Sequence, residues 1–207
     1  MENRAPMLIL ASQSSARKAL LAGAGLRFDA ARADIDERAL EERFRTSGAE
    51  AAGVALALAE AKALAVSEGQ KEAFVIGADQ TLALGQELLH KPADRAEAAA
   101  QLDRLRGRSH QLHAGVALAR NGQILWSGVE MATLTLRDFS DAEREDVLDR
   151  EGEAILGCVG SYRLEGPSIR LFEKVDGDYF TILGLPLLPL LAALREHAHH
   201  LLSEPAA

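Results

Sequence analysis

Apolar positions recur along this chain with two different spacings, and the changes between them mark out a run of short strands and helices. Residues 7–11 form a continuous apolar run followed by serines, the pattern of a short buried strand. Ser12-Gln13-Ser14-Ser15 supplies N-cap candidates for a helix over residues 16–25, with Gly25 as its stop. Residues 26–30 read as another short strand, and Asp34-Ile35-Asp36-Glu37 as an acidic turn that starts a helix. Residues 49–68 are rich in Ala and Leu and carry an apolar stripe through Val54, Leu58, Ala61 and Val66, which predicts a long helix ended by Gly69. Residues 75–84 then read as the central buried strand: it breaks at Gly77, presents Asp79, and resumes apolar before a polar turn at Gly85.

Beyond it, residues 94–106 predict a helix closed by Gly107. Residues 110–119 predict a strand, turned by Asn121-Gly122 into a hairpin with residues 124–126, and the ladder runs on through residues 131–136. Ser140 and Glu143 form a capping box for a helix reaching Leu148. Residues 151–166 are loop-like and dense in glycine, which lets backbone approach a ligand closely. Residues 169–175 and 179–183 predict two strands about the turn Asp176-Gly177-Asp178. Gly184-Leu185-Pro186 opens a last helix, whose tail of histidines is expected to fray into solvent.

At 207 residues the chain can bury a sizeable core. Hydrophobic residues make up 48% but aromatics only 4%, so that core rests on Leu, Ala, Val and Ile. A net charge of -8 with one Trp and two Tyr argues against a nucleic-acid polymer as partner, because single strands bind on aromatic platforms in basic grooves. No uncharged apolar run approaches the roughly 18 residues of a transmembrane helix. The N-terminal apolar run is too short for a secretory signal. Cys158 is the single cysteine, which excludes an internal disulfide and a cysteine-rich zinc site. A cytoplasmic protein that does not enter the membrane is the expectation.

Several positions carry candidate chemistry. Asp79 in an apolar strand must find partners or a metal; the alternatives are a structural cap near Gly77 and an active carboxylate at a strand edge, with Lys91 returning toward it. Arg17 and Lys18 fall in the first turn of a helix, mildly unfavourable against its dipole unless a phosphate binds there or the turn is simply solvated. Lys62 lies beside the stripe of its helix, either snorkelling or pointing a charge into a cleft. The carboxylates of residues 34–37 suit Mg²⁺ or Mn²⁺, or form a solvated turn. His110 and His113 would lie on opposite faces of one strand, so they share no metal.

Taken in order, these pieces resemble the Maf family of nucleoside triphosphate pyrophosphatases. Leu10-Ala11-Ser12-Gln13-Ser14-Ser15-Ala16-Arg17 is similar to the family's opening loop, Asp36-Glu37 to its acidic pair, and Glu60-Ala61-Lys62-Ala63 to its helix lysine. Gly77-Ala78-Asp79 resembles the signature that carries the catalytic aspartate, and Lys91-Pro92 the Lys-Pro that follows. Gly160-Ser161-Tyr162, Glu165-Gly166, Asp176-Gly177-Asp178-Tyr179 and Gly184-Leu185-Pro186-Leu187 complete the pattern, which spans residues 7 to 195.

The resemblance implies an α/β fold of the inosine-triphosphatase-like kind: a mixed central sheet with flanking helices, in one domain of two closely joined lobes around a cleft. It implies cleavage of a nucleoside triphosphate between its α and β phosphates with Mg²⁺ or Mn²⁺, by a homodimer. It gives Asp79, Lys62 and Lys91 catalytic roles, Glu37 and Asp79 the metal, and Ser12, Ser14, Ala16, Arg17, Lys18, Gln80 and Glu165 the substrate.

Two departures bear on the substrate. Ser15 replaces the loop proline, and Ala16 stands where thymidine/uridine-type members have Arg and 7-methylguanosine-type members have Trp. Gln80, Glu165 and the segment Cys158 to Ser161 resemble the 7-methylguanosine type, so 7-methyl-GTP is the expected substrate. The competing expectations are a dTTP/UTP or broad-specificity pyrophosphatase, an inosine-triphosphate-cleaving enzyme, and an idle nucleotide-binding regulator of septum formation.

Overall fold

The computed structural model describes residues 7–203, so the N-terminal apolar run read above is within it and residues 1–6 before that run lie outside the described residues. Seven strands form one mixed sheet in the order β2-β1-β3-β5-β6-β7, with β4 beside the far end of β3. β1 (Leu8–Ala11) runs parallel to β2 (Asp29–Ala30) and to the first part of β3 (Phe74–Leu84). The other neighbours are antiparallel: β4 (Glu87–Leu89) and β5 (Ser109–Arg120) on β3, β6 (Gln123–Leu136) on β5, and β7 (Phe172–Asp176) on β6. Asn121 and Gly122 both take positive φ, as a two-residue hairpin turn between twisted strands requires, and they join β5 to β6 where the sequence places them.

Helices α1 (Ser15–Gly23), α2 (Glu37–Thr46), α3 (Ala51–Gly69), α4 (Arg95–Leu105) and α5 (Asp141–Glu151) follow in chain order, and the last carries the full capping box of Ser140 and Glu143. Two large hydrophobic cores share the long strands among the described residues, beside two smaller clusters around Val75 and around Ala117. One gathers Phe74, Ile76 and Ala78 of β3 with Leu8, Leu10, Val116 and Leu118, and is covered by Leu187, Leu190 and Leu194 of α7 (Leu187–His197). The other gathers Leu82 and Leu84 of β3 with Leu112, Leu134 and Leu136, and is covered by Leu102 and Leu105 of α4 and Val147 and Leu148 of α5. Each buried leucine contributes about 1.5–3 kcal/mol, so both ends of β3 are firmly anchored. Asp79 and Gln80 fall between them.

Helix α3 lies directly on this junction. A Cβ built at Gly77 would sit 2.0 Å from the Ala59 carbonyl oxygen, and one at Gly115 would sit 2.4 Å from that of Ala55. Gly77 therefore does not break β3, as its sequence context had predicted; the strand is continuous and the missing side chain admits the helix backbone. The alanines of α3 serve the same end, since Ala55, Ala59 and Ala63 are wholly buried.

Two strand expectations need correction. Residues 179–183 form the short helix α6 (Tyr179–Ile182), because Asp178 accepts hydrogen bonds from the Thr181 N–H and hydroxyl and caps it, overriding the β-favouring Tyr-Phe-Thr-Ile run. Residues 169–175 divide: Pro167–Leu171 coils as a 3₁₀ turn, and only Phe172–Asp176 pairs with β6. The strand expected at residues 26–30 shortens to its last two, since Leu26 is drawn into the end of α1 by a hydrogen bond to the Leu21 carbonyl. The histidine tail forms a last turn, α8 (His200–Ser203).

Candidate active site

On one edge of β3 the ladder with β1 ends at Gly77 and the ladder with β4 begins at Leu82. Residues 78–81 between them face no strand on that edge among the described residues, which opens a notch at the carboxyl end of parallel β1. Ligands of open α/β sheets bind at such strand ends. Arg17 enters the notch from α1 and is 9% exposed. Its Nη1 donates to the Ala78 carbonyl at 2.8 Å and to Ser12 Oγ at 3.2 Å, and its Nε donates to the Gly184 carbonyl at 2.7 Å. Ser14 caps α1 by accepting from the Arg17 N–H, while Ser12 Oγ also accepts from the Ser14 N–H. The opening loop, β3 and the Gly184 turn are thus tied together by one guanidinium. Burial pulls the Arg17 pKa down, with Asp79 and Glu37 acting against that.

Asp79 is two residues beyond Gly77 and so projects on the same face, toward α3. There Lys62, itself 8% exposed, donates to Asp79 Oδ1 at 2.5 Å and pairs with Glu37 Oε2 at 3.0 Å. The alternative of a snorkelling lysine is excluded, because its charge is buried between two carboxylates. Breaking such a buried pair by removing one partner costs about 3–5 kcal/mol. Glu37 arrives because Asp36 caps α2 by accepting from the Ala39 N–H, leaving Glu37 as the first helical residue. The acidic turn is therefore both the helix start and a contributor to the cluster. The two carboxylates converge on the Lys62 ammonium; their oxygens are the ligand type that Mg²⁺ and Mn²⁺ take alongside water and substrate phosphates, and among the described residues no third His, Cys, Asp or Glu completes a metal cluster with them.

Other sequence-predicted residues stand further out. Gln80, on the opposite face of β3, donates through Nε2 to the Thr181 and Ile182 carbonyls at 3.1 and 3.0 Å and so satisfies the end of α6. Only its Oε1 remains for a ligand. Lys18 Nζ donates to Gln13 Oε1 on the outer side of the loop, and Ala16 is half-buried beside it. The β3–β4 hairpin carries the chain back along β3, so that two more paired residues would have set Lys91 opposite Gln80. Lys91 is nevertheless exposed and makes no contact with Asp79. It and the exposed Glu165 both lie within electrostatic reach of the Cys158 thiol, whose pKa burial pushes up and Glu165 raises further while Lys91 lowers it.

Sequence reasoning missed three contributors. The Gly184 carbonyl is invisible as chemistry until Arg17 reaches it. Glu151, buried at the end of α5, accepts from Arg163 Nε at 2.7 Å and from the Ser168 N–H and hydroxyl, which pins both sides of Glu165. Gln101 is a polar residue among the buried Ala98, Leu102 and Leu105 of α4, an anomaly that the sequence displays. His110 is a core residue: its Nε2 meets the Tyr162 hydroxyl at 2.6 Å, and burial lowers its pKa to about 4.

The family described as Maf-like protein matches residues 7–197, and the chain belongs to it. A 7-methyl-GTP pyrophosphatase of Rhizobium meliloti is 53% identical over 191 residues, which are 92% of this chain and 96% of that protein. A nucleoside triphosphate pyrophosphatase of Bradyrhizobium diazoefficiens is 55% identical over 188 residues, 91% of this chain and 92% of that protein. A solved structure described as a HAM1 protein from Coxiella burnetii shares 18% identity and a TM-score of 0.39, covering 65% of this chain and 74% of that one. Among the described residues no helix is long and apolar enough to cross a membrane.

Proposed function

We propose that this protein hydrolyses nucleoside triphosphates between the α and β phosphates, releasing a nucleoside monophosphate and pyrophosphate. The observation that carries this is the Glu37–Lys62–Asp79 cluster at the strand-edge notch, with Lys62 buried and Glu37 open to solvent, in a chain that belongs to the Maf-like family. A triphosphate is an acidic ligand, and the whole chain is acidic, so the basic groups beside the notch must supply its local attraction. Water attacks the α phosphorus, the bond to the α–β bridging oxygen breaks, and pyrophosphate leaves with the developing charge. Lys62 is placed to follow that charge, exchanging a carboxylate partner for phosphate oxygen. Lys91, exposed, and Lys18, half-buried beside the opening loop, serve the outer phosphates.

Glu37 and Asp79 would hold a divalent cation, Mg²⁺ or Mn²⁺, which supplies Lewis acidity at the phosphate oxygens when bound. Asp79 faces the reacting end of the substrate, as ligand or as acceptor of the proton from water. Chelation of divalent metal is expected to abolish turnover and its restoration to recover it; full turnover in metal-free protein would remove the cation from this reading. The two hydrophobic cores read as the two lobes of one catalytic unit, which we place in the cytoplasm as a homodimer. Sedimentation giving only the 22.2 kDa chain at all micromolar concentrations would refute the dimer.

We infer a preference for 7-methyl-GTP. The name of the Rhizobium meliloti relative supports it, as does the Glu165 carboxylate, an acceptor for the donors of a guanine edge. Gln80 contributes its Oε1, and Ala16 leaves the site more permissive than a stacking residue would. The test compares kcat/KM for 7-methyl-GTP, GTP, dTTP and UTP, with Glu165→Gln expected to narrow the ranking more than it slows pyrophosphate release. dTTP or UTP as best substrate, with the ranking unmoved by Glu165→Gln, would overturn the preference.

A further inference from the structure

The polar anomaly on α4 joins two segments that the proposed reaction uses separately. Gln101 is 5% exposed among apolar neighbours, where an unsatisfied amide is costly. Both ends of the amide are satisfied. Nε2 donates to the His90 carbonyl at 2.6 Å, and Oε1 accepts from the Ser161 hydroxyl at 2.9 Å. A carbonyl can only accept, so the His90 contact fixes which end of the amide faces Ser161.

Each link holds a turn that leads to a functional side chain. His90 immediately precedes Lys91, and its ring lies 3.6 Å from the Glu41 carboxylate of α2. Ser161 has φ +58, the left-handed region that residues with a Cβ seldom occupy, so its turn persists through what surrounds it. The backbone runs from there to Glu165, whose far side is pinned by Glu151 through Ser168. The link between the two turns is the Gln101 amide itself, which bonds the His90 carbonyl on one and the Ser161 hydroxyl on the other.

We propose that Gln101 is a positioning residue that clamps the Lys91 turn to the Ser161–Glu165 turn, and so couples the leaving-group charge to the selection of the base. This rests on the reading of Lys91 and Glu165 given above. Its two hydrogen bonds make separable contributions: the donor end serves turnover of every nucleotide, and the acceptor end serves discrimination between bases.

Two substitutions cut the links one at a time. Gln101→Glu retains an acceptor for Ser161 but turns the donor toward His90 into a second acceptor. Ser161→Ala removes the other link and leaves the His90 contact in place. Gln101→Glu is expected to lower kcat/KM on 7-methyl-GTP and dTTP by the same factor, about tenfold, the scale of one lost hydrogen bond. Ser161→Ala is expected to reduce the ratio between the two substrates by more than it reduces kcat. Amide hydrogen exchange should rise over residues 89–91 in the first variant and over residues 159–166 in the second. A buried carboxylate risks unfolding the chain, so Gln101→Met, an apolar near-isostere, is measured alongside and should show both effects together.

Wild-type rate and ranking in Gln101→Met, or one identical exchange pattern in both single-link variants, overturns the clamp. If the wild-type protein releases no pyrophosphate, the functional reading fails instead, and the exchange patterns still decide whether the clamp exists.

Discussion

Replacing Gly77 by Ala puts the link between fold and chemistry under direct test. The added methyl carbon would sit 2.0 Å from the Ala59 carbonyl oxygen, 2.6 Å from the Ala63 amide nitrogen and 2.8 Å from the Ala63 Cβ. The first of these is roughly 1 Å inside the closest approach that packed atoms tolerate, and two of the three obstacles are helix backbone, which no rotamer change can move aside. Helix α3 must therefore lift from β3 by about that distance, or β3 must bend. Overpacking of this kind costs about 1–3 kcal/mol, and backbone obstacles place the site at the upper end. For a chain of this size that lowers Tm by roughly 6–12 °C. Lys62 rides on the same turn of α3 as Ala59 and Ala63, so the displacement separates it from Asp79. Misplacement by about 1 Å in a preorganised site costs around a hundredfold in rate. Differential scanning fluorimetry and pyrophosphate release measure the two effects, with Gly53→Ala as control. Gly53 is exposed on the outer face of α3, where alanine is expected to stabilise by about 0.4–1 kcal/mol and leave the rate alone. A Gly77→Ala protein with the parent Tm and rate would show that the close approach of α3 does not set the site.

Asp79→Asn keeps the shape of the side chain and its contact with Lys62 but removes the charge; kcat should fall at least a hundredfold while substrate affinity changes little, and a near-parent kcat would take Asp79 out of the chemistry. His110 titrates at about 4 in the folded protein because burial disfavours its charged form, against an unperturbed value of 6.5. The folded state then binds fewer protons than the unfolded one between those values, so the contribution is fully present above pH 6.5 and is lost as pH falls through 4. Urea unfolding should show roughly 3 kcal/mol of such loss, absent in His110→Gln; equal pH profiles for the two proteins would contradict it.

Local patterns made much of the fold legible. The apolar run of β1, the serine caps of α1, the Asn-Gly hairpin and the capping box of α5 act over a few residues, and each lies where its chemistry places it. What escaped were decisions made between distant segments. Tyr179–Ile182 has strand propensity, yet Asp178 and Thr181 cap it as a helix whose end Gln80 completes from a strand 100 positions away. Gly77 looked like punctuation because its real constraint is the Ala59 carbonyl of a helix packed across it. In the site, the lysine beside the stripe of α3 and the aspartate in β3 were both visible, but only packing could say that Lys62 stands between Asp79 and Glu37. The same holds for Arg17, read from its helix turn as a phosphate ligand, whose Nε and Nη1 are spent on protein oxygens.

The central claim is the bond that breaks, and product analysis decides it. Purified protein incubated with 7-methyl-GTP and Mg²⁺ in ¹⁸O-labelled water is followed by ³¹P NMR and mass spectrometry. Pyrophosphate and a nucleoside monophosphate carrying the label on its phosphate are expected, both formed at least a hundredfold more slowly by the Asp79→Asn protein. A nucleoside diphosphate with labelled orthophosphate, or bound nucleotide left intact, would contradict it.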